Sequence, residues 1–187
     1  MGDELVRSRT RRSTEMGLLH HRDEDRTALR FQMRQRLLSV GDDYWIEDES
    51  GQRVFLVDGK ALRIRDTWIL KDRAGTQVAE IKERKLTVRD KMKIDLGDRC
   101  ATVTKRVVGI RDHFKVEVDG EADLKVHGNV VDHEYEIERG GDRVAQVSKK
   151  WFRVRDTYGL EIEQSVDPVL IVAITVAVDA MTDGIDR

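Results

Sequence analysis

Ile64-Arg65-Asp66-Thr67-Trp68-Ile69-Leu70-Lys71-Asp72-Arg73-Ala74-Gly75-Thr76-Gln77-Val78-Ala79-Glu80-Ile81 holds one full copy of a pattern that recurs along this chain. Apolar residues stand two and four positions after Asp66, at Trp68 and Leu70, so both point to one face of a strand. Arg73-Ala74-Gly75 supplies a turn, and Ala79 and Ile81 resume the alternation on a second strand. The unit is a β-hairpin.

Working outward, the apolar-Arg-Asp opening returns at Val88-Arg89-Asp90, Ile110-Arg111-Asp112 and Val154-Arg155-Asp156, with weaker copies at Val40-Gly41-Asp42 and Val131-Asp132-His133. From Asp42 through Asp66, Asp90, Asp112, His133 and Asp156 the steps are 24, 24, 22, 21 and 23 residues. Each anchor is followed by a same-face pair: Tyr44 and Ile46, Met92 and Ile94, Phe114 and Val116, Tyr135 and Ile137, Tyr158 and Leu160. After a glycine-bearing turn, the return strands carry Phe55 and Val57, Ala101 and Val103, Leu124 and Val126, Ala145 and Val147. Five hairpins, one strand after Asp156 and one before the first anchor (Leu29 to Gln35) predict about twelve antiparallel strands. A meander of that length leaves two open edges unless it closes on itself, so the expected fold is mainly β, a closed barrel.

Pro168, the sole proline, marks a change of pattern. Val169 to Val178 is apolar on every side, and the apolar pattern reaches Met181. Asp167 and Pro168 suit the N-cap and first turn of a helix. A helix apolar all round must be buried all round. The inside of a twelve-stranded barrel is wide enough to take one, so a central helix is expected over about 168–181. The run is too short to cross a bilayer as a helix, which takes about 20 apolar residues.

The length of 187 residues suits a single domain, with 39% apolar residues for a core and 37% charged ones. Residues 1–27 include Arg7, Arg9, Arg11 and Arg12 and read as a disordered polar tail, leaving residues 28–187 as one barrel domain. Lys plus Arg number 34 against 36 Asp plus Glu, and this balance argues against a dedicated nucleic-acid binder. Cys100, the one cysteine, excludes an internal disulfide and fits a reducing compartment, where it reads as a small buried hydrophobe. No apolar signal core opens the sequence, and the expected location is the cytoplasm.

Several stretches resemble the LURP-one-related proteins of the tubby C-terminal-like superfamily. They are Arg34-Gln35-Arg36-Leu37-Leu38-Ser39, Asp58-Gly59-Lys60-Ala61-Leu62 and His133-Glu134-Tyr135-Glu136-Ile137. The most specific are Ser148-Lys149-Lys150-Trp151-Phe152 and Arg155-Asp156-Thr157-Tyr158-Gly159. The resemblance spans about Leu29 to Met181 and implies a twelve-stranded barrel around a hydrophobic C-terminal helix. Tubby proteins bind phosphoinositides, and the related phospholipid scramblases act at membranes. No stretch here matches the tubby lipid-binding motif, so no binding residue carries over. The cysteine-rich segment and spanning helix of scramblases are missing.

Enzymatic signatures are absent: there is no G-x-S-x-G, H-E-x-x-H, phosphate-cradling glycine loop or C-x-x-C pair. Neither catalytic residues nor a cofactor are expected. His127, Asp132, His133 and Glu134 lie close in sequence but form a weak metal signature, better taken as ordinary surface residues. The recurring Arg-Asp pairs suit a structural belt at strand ends.

Charge gives the strongest lead. In a meander, successive connections alternate between the two ends of the barrel. The anchor-side connections sum to +8 and those of the opposite end to −6. A basic rim is therefore expected, built from Lys60, Arg84, Lys85, Lys105, Arg106, Lys149, Lys150 and Arg153, with Trp151 and Phe152 as interfacial aromatics. Such a rim fits a non-catalytic binding or scaffold domain, a monomer that contacts an anionic membrane surface at its inner face or an acidic protein. The alternative is a structural protein-interaction module without lipid affinity.

Overall fold

The computed structural model describes residues 28–34, 44–58, 67–84, 90–108, 111–151 and 157–183. The expected tail over residues 1–27 lies outside them. Strands β1 (Ala28–Arg34), β2 (Tyr44–Asp48), β3 (Arg53–Asp58), β4 (Thr67–Asp72), β5 (Gln77–Glu83) and β6 (Lys91–Asp95) form the first half. The second half is β7 (Cys100–Val108), β8 (Arg111–Val118), β9 (Leu124–Asn129), β10 (Glu134–Arg139), β11 (Asp142–Ser148) and β12 (Thr157–Glu163). Each strand pairs antiparallel with its sequence neighbour, and β1 closes the barrel against β12. The seam runs in unbroken register from Ala28 opposite Glu163 to Arg34 opposite Thr157. Among the described strands closure leaves none at an open edge, which is how a long meander avoids templating aggregation.

The predicted same-face pairs all point inward. The residues four past each anchor, Ile46, Leu70, Ile94, Val116, Ile137 and Leu160, are at most 1% exposed and form one layer of the core. The residues two past each anchor, Tyr44, Trp68, Met92, Phe114, Tyr135 and Tyr158, form a bulkier layer nearer the anchor-side end, also buried. The return strands fill the same interior with Phe55, Val57, Ala79, Ile81, Ala101, Val103, Leu124, Val126, Ala145 and Val147.

These side chains meet α1 (Pro168–Asp183), which occupies the barrel centre. All nine residues from Leu170 to Val178 are fully buried, Thr175 included. The Thr175 hydroxyl donates to the Ile171 carbonyl at 3.0 Å, so its polarity is satisfied within the helix. The Asp167 side chain accepts from the Val169 amide at 2.9 Å, the expected N-cap, with Pro168 in the first turn. No helix among the described residues is long and apolar enough to cross a membrane.

Arg99 ties the helix entrance to the barrel. Its guanidinium bonds Asp167 and lies 3.4 Å from Glu121, which is also paired with Arg139 at 2.9 Å. At the end of the barrel expected to be acidic, arginines are thus interleaved with acids.

Candidate functional site

At the anchor-side end, two described connections lie side by side. Ser148 ends β11, and its hydroxyl accepts from the Lys150 amide at 3.2 Å, capping a short 3-10 turn over Lys149–Trp151. Glu134, the first residue of β10, holds this turn. Its carboxylate accepts from the Ser148 hydroxyl at 2.9 Å and from the Lys149 amide at 3.1 Å, and pairs with the Lys150 ammonium at 3.4 Å. The neighbouring turn runs from Val130 to His133. Val130 is buried, but Val131 is 63% exposed. Trp151 is 37% exposed, and the Lys150 side chain is largely in solvent.

The arrangement joins a basic pair to two exposed apolar side chains on a surface pinned by one carboxylate. Lys149 is half-buried, while Arg84 and Arg106 are exposed. Lys105 departs from the expected rim. It is 8% exposed, with its ammonium 5.7 Å from the centre of the Phe114 ring. The cause is strand periodicity: Ala101, Val103 and Lys105 share the inward face of β7. Lys60, Lys85, Phe152 and Arg153 lie outside the described residues. Acids also stand among the rim cations, Glu134 and the exposed Asp90 and Asp132 included. Both ends thus mix signs, so the expected segregation of charge between the two ends does not hold.

Beneath this surface sits a polar cluster that sequence reasoning did not assemble. Asp179, 3% exposed, projects from α1, and the Tyr158 hydroxyl donates to its carboxylate. Burial first, and the Asp179 charge second, hold the phenols of Tyr44, Tyr135 and Tyr158 well above their usual pKa range. All three therefore stay protonated near neutral pH. His133 lies against Tyr158 with ring centres 4.4 Å apart, and its Nε2 is 3.7 Å from Asp179 Oδ1. Burial, then the nearby Lys149 charge, lower the His133 pKa to about 4, so its ring is neutral near pH 7. The cluster is buried, and its chemistry is to anchor the last turns of α1 to the barrel wall. A signal for it existed: the three tyrosines occupy equivalent repeat positions, two residues past Asp42, His133 and Asp156.

The four residues grouped in sequence as a weak metal set are separated. His133 is buried at the barrel end, Glu134 clamps the 3-10 turn, and Asp132 bonds the Asn129 side chain at 2.6 Å. His127 is on the outer wall, where it pairs with Glu138 at 2.8 Å.

No curated protein matches the sequence. A crystal structure of a protein from Arabidopsis thaliana superposes with a TM-score of 0.54 at 17% identity, covering 86% of this chain and 92% of that one. At that identity the likeness is one of fold. The family model described as LURP-one-related matches residues 29–179, which takes in every strand but the first residue of β1 and most of the central helix. The chain belongs to the LURP-one-related family.

Proposed function

We propose that this domain is a non-catalytic binding module that rests on anionic phospholipid headgroups through its anchor-side end. The observation that carries this reading is the pairing of Lys149 and Lys150 with exposed Trp151 and Val131 on adjoining turns. Apolar side chains enter the interfacial region of a bilayer while the ammonium groups meet phosphates. Exposed Arg84 and Arg106 extend the basic surface. Lys60, Lys85, Arg153 and Phe152 join it by sequence. The protein then works as a monomer at the cytoplasmic face, with no cofactor and no nucleic acid.

Co-sedimentation with vesicles of graded phosphatidylserine content tests this. Each basic residue near an anionic surface contributes about 1 kcal/mol, so Lys149→Glu with Lys150→Glu weakens binding by roughly thirtyfold or more. Binding rises with lipid charge and falls with salt. No sedimentation at low salt, or binding indifferent to both substitutions, sinks the lipid reading.

A second reading, a protein-interaction module without lipid affinity, draws on a cavity of about 600 Å³ on the outer wall. Glu136, Asp142, Glu161 and Glu163 line it against one cation, Arg143. That chemistry suits a basic protein segment, and it gains weight if vesicle binding fails.

A further inference from the structure

We propose that His127, Glu136 and Glu138, completed by His113, form a site for a divalent transition metal of the zinc type on the outer wall of the barrel. The proposal is independent of membrane binding, because these side chains stand on the wall and not on the anchor-side turns.

Strand register brings the residues together. His113 of β8 is paired with His127 of β9, and His127 is paired with Glu136 of β10. Glu138 lies two residues further along β10 and so shares the outward face. The ligand atoms of His127, Glu136 and Glu138 all lie within 4.8 Å of one another. Two ligands of a tetrahedral zinc ion, each bound at about 2.05 Å, stand roughly 3.4 Å apart. The trio therefore needs only side-chain adjustment to close on one ion. His113, paired directly across from His127 on β8, is the residue assigned to the fourth position.

The donor set decides the class of ion. Imidazole nitrogens with carboxylate oxygens suit zinc and its neighbours, whereas magnesium and calcium favour oxygen alone. The side chains of His127 and Glu138 are 35% and 26% exposed, dry enough to strengthen a charge interaction yet open to an entering ion. A hydrogen bond between His127 and Glu138 would not call for Glu136. Two carboxylates in so small a span repel unless a cation stands beside them. Arg143 now supplies part of that charge, with Nη1 3.3 Å from Glu136 Oε1 and 3.2 Å from Gln146 Oε1. It is thus a competitor of the ion. Glu136 and Arg143 also line the outer-wall cavity, which gives the ion a route in.

Calorimetric titration of the full chain with Zn²⁺ tests the site. A second titration carries His20→Ala and His21→Ala, because that adjacent pair is the other histidine donor set in the sequence. The expected result is one equivalent bound in both backgrounds. His127→Gln and Glu138→Gln each weaken it by roughly tenfold or more, and Arg143→Ala tightens it. These are wall-surface changes, and circular dichroism checks that each variant is folded. Absence of saturable binding, loss of binding with His20 and His21 alone, or binding indifferent to His127→Gln overturns the proposal.

Discussion

Acid should loosen this barrel through His133. The residue is 6% exposed, its backbone φ is +53°, and its pKa is lowered to about 4, by burial first and Lys149 second. The folded-state pKa lies below the unfolded value of 6.5, so as pH falls the unfolded chain takes up the proton first. His133 therefore contributes stability that is full above about pH 6.5 and is lost as pH falls toward 4. Between neutral pH and about pH 5 the loss works out at about 2 kcal/mol at most, and solvent access at the barrel end reduces it. His133→Asn removes the titrating ring while keeping a residue that tolerates positive φ. Urea unfolding of both proteins, from about pH 7.5 down to about pH 5, isolates the effect, since every other side chain is common to both. The wild type should lose about 1–2 kcal/mol more than the variant over that range. Parallel stability curves would refute the claim that His133 is held neutral in the fold.

Three further substitutions probe the frame of the barrel. Gly128→Ala places a Cβ 2.7 Å from both the Glu134 carbonyl oxygen and the Tyr135 Cα, at φ +133°, and should cost about 2–4 kcal/mol in urea unfolding. Gly120→Ala, at φ +75° with nothing within 4 Å, should cost only about 1–2 kcal/mol, and equal losses would contradict the close approach at Gly128. Arg99→Ala unties Asp167 and Glu121 and should cost about 1 kcal/mol, with faster amide exchange in the first turns of α1. Unchanged exchange there would show that the N-cap alone holds the helix entrance.

The barrel could be derived residue by residue because a pleated strand admits only one period, and each repeat states it twice. Trp68, Leu70, Ala79 and Ile81 went inward as the alternation required, and their counterparts in the other repeats did the same. The helix followed from an apolar run with no polar face to leave in water. Lys105 departs from the expected rim because strand position outweighs charge there: it stands in step with Ala101 and Val103. Asp179 carried no expectation, because its meaning needed three tyrosines drawn from three different repeats. His127, Glu136 and Glu138 were out of reach for another reason. Residues nine and eleven apart become neighbours only once the register of β9 against β10 is known.

The order in which the chain is made gives the seam and the central helix a temporal meaning. β1 cannot close the barrel until β12 exists, and their paired residues Ala28 and Glu163 lie 135 positions apart in a sequence of 187. α1 follows later still. During synthesis the inner faces of the strands therefore emerge with no plug to cover them, an apolar sheet with two live edges. Folding that depends on such distant contacts is slow, and the waiting species is prone to aggregate. The native packing of the barrel interior therefore requires the chain through Asp183.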